Sequence, residues 1–252
     1  MDKRLLKYIS VTYLITWIFW CADAMLVKFT FFKESNILPM ILFTLGGFGP
    51  TISACLCMKG GFSWKELKKF LTGYKSKGAR YFLLFVIMEI IVFVLPSQGF
   101  IDSIKNADVS PMLIIAIVFL QAVLFYGGNE EWGWRGTMQP ILQQKLPYCF
   151  ATLIVGIVWV CWHIPLWFIE GNSHQSMSFV SFAIIGILLS YWLSAVYNTT
   201  GSVICCMIFH GLTNTLMGVL ETEVNVIYVV GLITLTGISI LVSMIKLKSD
   251  TE

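Results

Sequence analysis

Glu130, Glu131 and Arg135 stand at the end of an apolar run, in the stretch Asn129-Glu130-Glu131-Trp132-Gly133-Trp134-Arg135-Gly136. A charge at bilayer depth costs roughly 2.5–3.5 kcal/mol on insertion scales, so ionisable groups placed there point to function. Glu130 and Glu131 are neighbours and point about 100° apart on a helix, which argues against one shared role. Glu131 and Arg135 have the i, i+4 spacing of a same-face ion pair. Glu130 is then left to face elsewhere and to act on a water. The plainest alternative is a helix end whose carboxylates are solvated.

Further polar positions follow on later apolar stretches. His163 lies in Trp159-Val160-Cys161-Trp162-His163-Ile164-Pro165. By itself it reads as a histidine bonded to a neighbouring backbone group or hydroxyl. His210 and Asn214 lie in Phe209-His210-Gly211-Leu212-Thr213-Asn214, and their i, i+4 spacing puts both on one helix face. Taken as bare residues they would be polar glue between helices. Taken together with Glu130 and His163 they make a chemical set. A carboxylate and an imidazole can remove a proton from water and return it to a leaving amine. A second histidine and an asparagine amide can donate hydrogen bonds to the oxyanion of an attacked carbonyl. That chemistry is amide hydrolysis. A zinc ion held by Glu130, His163 and His210 could activate the water instead. No His-Glu-x-x-His helix is present, and the residues leave zinc and no cofactor equally open.

These groups must be positioned by membrane helices. Of the 252 residues 57% are hydrophobic and only 12% charged, with mean hydropathy +0.80, whereas soluble domains carry about 25% charged residues. A span needs about 20 apolar residues. The expected spans are 6–27, 37–58, 80–97, 112–137, 150–170, 178–198, 202–220 and 225–246. The fold class is therefore all-α, a polytopic membrane helix bundle of about eight transmembrane helices, forming a single membrane domain over 1–252 with its core motifs within 112–220. The fourth span is interrupted by Gly127-Gly128. With the N-terminus inside, 14 of the 17 Lys and Arg residues fall on the cytoplasmic side, as the positive-inside rule requires. The protein is expected in the cell membrane, multi-pass, with both termini cytoplasmic. On that topology, at 1.5 Å per residue, Glu130 and His210 lie about 10 and about 12 Å in from the cytoplasmic face and His163 about 20 Å in, or about 14 Å if its span starts at 154 after a surface helix, and the three stretches are expected to meet in the cytoplasmic half.

The first span follows Lys3, Arg4 and Lys7 and is rich in aromatics, which suits a retained helix better than a cleaved leader. The basic 59–79 segment reads either as an amphipathic helix on the anionic inner leaflet or as an ordinary positive-inside loop. Residues 138–149 suggest a second short surface helix. The seven cysteines fall mostly in apolar runs and read as small buried hydrophobes. No nucleic-acid motif is present, and nothing in the sequence indicates an oligomeric state.

Glu130-Glu131-x-x-x-Arg135, an aromatic four residues before His163, and His210-x-x-x-Asn214, in that order, resemble the CPBP intramembrane proteases, also called the CAAX protease and bacteriocin-processing (Abi) family. The resemblance covers roughly residues 112–220. It implies a peptide or protein substrate in the lipid bilayer, with Glu130 and His163 activating water and His210 and Asn214 forming the oxyanion site. Glu131 and Arg135 would hold the architecture. The family has been described both as metal-dependent and as glutamate-dependent and metal-free. It includes proteases of prenylated CAAX tails, and its bacterial members are linked with bacteriocin immunity and peptide processing. The family pattern has Phe where this chain has Trp159, which reads as a conservative exchange. The competing readings are a non-proteolytic scaffold or immunity protein that keeps the family fold, and a small transporter using Glu89 and Asp23.

Overall fold

The computed structural model describes residues 2–58, 63–72 and 78–249. Helices occupy the expected spans, and all-α architecture follows. The chain divides into two compact units. One comprises Met1–Leu67 and Asn129–Ser190, the other Lys68–Gly128 and Tyr191–Glu252.

In the first unit, helix Lys3–Phe29 starts at Asp2, whose side chain accepts from the Arg4 N–H at 2.8 Å. Its buried residues are Leu5, Tyr8, Thr12, Thr16, Trp20, Asp23 and Val27, spaced three or four apart along one face. Leu6, Leu14, Ile18 and Met25 point outward. A polar and aromatic face turned inward with aliphatics outward is the pattern of a helix whose surroundings are lipid. The expected 37–58 span is a bent pair, Ile37–Gly47 and Gly49–Leu56, at 42°. Pro50 explains the break, since it lacks the N–H that would reach the Gly46 carbonyl. That carbonyl is taken by the Thr16 hydroxyl at 2.7 Å, and the nearby Phe43 carbonyl by the Trp20 indole at 2.9 Å. Helix Tyr148–Trp162 ends ahead of Pro165 and passes into a short 3-10 turn, Ile164–Phe168. Tyr13 and Trp17 of the first helix donate to the Val158 and Trp162 carbonyls at 2.6 and 3.1 Å.

In the second unit, helix Pro111–Leu124 packs on Val203–Val219, and Val226–Ser249 packs on Gly78–Val94. Two short antiparallel strands, Ser97–Phe100 and Leu220–Thr222, pair with Ser97 opposite Thr222 and Phe100 opposite Leu220. Inside this unit the buried Glu89 carboxylate accepts from the Thr213 hydroxyl.

Helix length alone does not confirm a count of eight crossings. Among the described residues five helices are long and apolar enough to cross, or six if the bent pair is one span. Gly78–Val94 and Val203–Val219 have 17 residues each, about 25 Å of helix against a hydrocarbon core of about 30 Å. The basic segment is helical over Trp64–Thr72, and residues 59–62 and 73–77 of its expected extent lie outside the described residues. The expected surface helix at 138–149 is instead a short helix, Gln139–Gln143, with Gln139, Ile141 and Leu142 buried. Gln139 is fixed by its amide, which donates to the Thr152 hydroxyl at 3.0 Å.

Candidate active site

The apolar helix Pro111–Leu124 stops ahead of the motif, and Gly127 makes the turn at φ +131. Only glycine adopts that conformation without strain. A 3-10 turn, one α turn and a five-residue π turn, Trp134–Met138, then carry the motif into Gln139–Gln143. π turns inside helices recur at functional sites. The motif is tied into the first unit by Asn129, whose amide donates to the Gly47 carbonyl at 2.9 Å and whose own carbonyl accepts from the Thr51 hydroxyl at 2.5 Å. Gly133 allows the close approach. A Cβ there would lie 2.1 Å from the Tyr8 hydroxyl and 2.8 Å from the Pro50 carbonyl.

Glu131 and Arg135 form an ion pair, Oε1 to Nη1 at 3.0 Å, with both side chains wholly buried. The Arg135 guanidinium also lies over the Trp159 ring, 5.8 Å from its centroid. Glu130 points elsewhere and is 7% exposed. Its Oε2 accepts from the Trp159 indole N–H at 2.6 Å and from the Trp134 indole N–H at 3.3 Å. Two indole N–H groups thus converge on one oxygen of this buried carboxylate.

His163 lies where the helix ends. Its backbone N–H turns to the Val160 carbonyl at 3.2 Å. The Trp159 carbonyl instead meets the His163 side chain, Nδ1 at 2.8 Å. A carbonyl can only accept, so Nδ1 carries the proton and Nε2 is the basic nitrogen. The ring is walled by Trp162, Phe182 and Trp159, with centroids at 4.5, 5.0 and 5.1 Å. Trp159 therefore joins three candidates at once: its N–H holds Glu130, its ring carries Arg135 and its carbonyl orients His163.

His174 had no assigned role in the sequence. It stacks near His163, centroids 6.2 Å apart, and its Nδ1 lies 2.8 Å from the Asn172 amide oxygen. Asn172 in turn donates to Glu34 at 2.9 Å. Burial pulls the His174 imidazole down to about 4, and burial raises the Glu34 carboxyl against the lowering effect of the Asn172 amide. A histidine in a loop gives no sequence signal for this packing; only the neighbouring Trp167 and Phe182 rings create it.

His210 and Asn214 belong to the second unit, one turn apart on Val203–Val219. The Asn214 amide donates to the Tyr126 carbonyl at 2.6 Å. A Cβ at Gly127 would come within 2.5 Å of the Asn214 amide nitrogen and 3.0 Å of the His210 ring. The pair is thus built against the 125–127 turn of its own unit.

Within either unit, among the described residues, no three His, Cys, Asp or Glu side chains gather closely enough to hold a metal ion. In the first unit the donor set is Glu130 and His163, with Glu130 Oε2 and His163 Nδ1 already engaged. His210, the third ligand of the zinc set expected from the sequence, belongs to the other unit.

The helices define a polytopic membrane protein with a buried glutamate and histidine mounted on one tryptophan. Comparison with known proteins gives what it is similar to. Residues 111–216, which contain all six site candidates, match the family model of Rce1-like type II CAAX prenyl endopeptidases. Over 235 residues the chain is 26% identical to a CAAX prenyl protease 2 from Methanococcus maripaludis, covering 82% of this chain and 81% of that protein. Both likenesses support the CPBP/CAAX protease family for this chain, and with it a CAAX-type intramembrane protease.

Proposed function

We propose that the chain is an intramembrane endopeptidase in which Glu130 and His163 activate the attacking water without a metal. The carrying observation is the double engagement of Trp159, with its N–H on Glu130 Oε2 and its carbonyl on His163 Nδ1. It ties a buried carboxylate to an imidazole whose Nε2 is the basic nitrogen. In this reading the Glu130–His163 pair takes a proton from water as the water oxygen bonds to the scissile carbonyl carbon. His210 and Asn214 donate to the oxyanion that forms. As the C–N bond breaks, the held proton passes to the leaving amine. Glu131 and Arg135 support the motif and stay out of the proton transfers. Both termini are placed in the cytoplasm.

The substrate is a membrane-associated peptide or protein. A prenylated CAAX tail is what the relative's name suggests, and a bacteriocin-type peptide is what the family resemblance suggests. One experiment tests the reading and separates these substrates. New protein N-termini are compared in membranes from cells carrying wild type or Glu130→Ala at matched expression. Termini that depend on Glu130 are expected, and their sequences name the substrate. Identical termini from the two would overturn the protease reading in favour of a scaffold.

A further inference from the structure

We propose that the indole N–H of Trp159 is a positioning group for Glu130, so that Trp159 contributes more than the packing an aromatic ring supplies. The inference rests on the reading of Glu130 as the group that acts on water. Trp159 is 4% exposed and fixed at several points. Its N–H reaches Glu130 Oε2 at 2.6 Å, its ring lies under the Arg135 guanidinium, and its ring packs on His163 and Phe182 with centroids at 5.1 and 6.4 Å. Turning the indole to release Glu130 would break all of these together. Trp134 also donates to Oε2, but from 3.3 Å and from the turn that carries Glu130 itself. Trp159 donates from the helix that ends at His163. It therefore fixes the carboxylate relative to the imidazole, which Trp134 has no means of doing. A phenylalanine at 159 would keep the ring under Arg135 and the carbonyl on His163 and would remove one hydrogen-bond donor. The exchange of Phe for Trp is not conservative at this site, because it adds a buried donor aimed at the carboxylate.

Two measurements test this. In the first, the accumulation of Glu130-dependent N-termini is followed in membranes carrying Trp159→Phe. The rate is expected to fall about ten- to a hundred-fold, the scale on which small misplacements of reacting groups act, while the melting temperature in detergent stays close to that of wild type. Added to Glu130→Gln, Trp159→Phe should cost nothing more, because the two groups act as one. In the second, the indole nitrogens are labelled with 15N, and Trp159→Phe identifies the Trp159 signal. Glu130→Gln should move that indole proton upfield, a response that packing alone does not produce. Undiminished cleavage by Trp159→Phe, with Glu130→Ala inactive, overturns the proposal and leaves the protease reading standing. Full cleavage by Glu130→Ala overturns both. If Trp159→Phe does not fold, Trp134→Phe identifies the Trp134 signal and the spectrum of Glu130→Gln decides: the proposal fails if no other of the nine tryptophan indole protons moves.

Discussion

Adjacent carboxylates with different partners differ in what their loss costs. Glu131 is the ion-pair partner of Arg135, and both are wholly buried. Removing Glu131 strands a guanidinium in a medium that does not solvate it, which costs about 3–5 kcal/mol. Glu130 is held by two neutral indoles, and losing a carboxylate from neutral donors costs about 1–3 kcal/mol. Glu131→Ala is therefore expected to lower the unfolding midpoint in mixed detergent well below that of Glu130→Ala. Equal midpoints would contradict the division of roles. The i, i+4 spacing made the Glu131–Arg135 contact legible in the sequence, because helix geometry alone brings such residues together. The significance of Trp159 was not legible. An aromatic in place of an aromatic looks neutral until the carboxylate is placed 2.6 Å from its N–H. The histidine tautomer was equally hidden, since it depends on which carbonyl the helix end leaves for the side chain.

At the scale of elements, helices were legible and their interruptions were not. Apolar length announces a helix wherever it occurs, yet the bend at Pro50 divides an expected span, and its freed carbonyls are met by Thr16 and Asn129 from elsewhere in the unit. Such partners are distant in sequence and carry no local signal. The strands Ser97–Phe100 and Leu220–Thr222 are likewise too short to show alternation. The motif helix illustrates what close packing demands. At Gly133 any side chain would meet the Tyr8 hydroxyl and the Pro50 backbone. Gly133→Ala should destabilise by about 1–3 kcal/mol, the usual cost of overpacking, read as a lower unfolding midpoint. Tyr8→Phe should recover part of that loss in the double variant by removing the nearest atom. If Gly133→Ala unfolds like wild type, the motif does not seat against the first helix as described.

For the whole molecule the open quantity is the number of crossings, and parity constrains it. Among the described residues five long apolar helices and one bent pair make six crossings at most by length, and eight follow if Gly78–Val94 and Val203–Val219 both cross as well. Six and eight are both even and put the two termini on one side. A single crossing by only one of the two 17-residue helices would put them on opposite sides, as would a bent pair that enters and leaves by the same face. The positive-inside expectation favours an even count. With eight crossings, cytoplasmic placement of both termini gathers 14 of the 17 Lys and Arg residues on the inner side, and basic residues resist translocation. Moving the C-terminus outward would carry Lys246 and Lys248 across with it. A green fluorescent protein, which becomes fluorescent only in the cytoplasm when exported in unfolded form, is therefore expected to fluoresce when fused to either end in a bacterial inner membrane. A dark C-terminal fusion with a bright N-terminal one would mean an odd count. It would then be necessary to ask which of the two short helices, or which half of the bent pair, fails to cross.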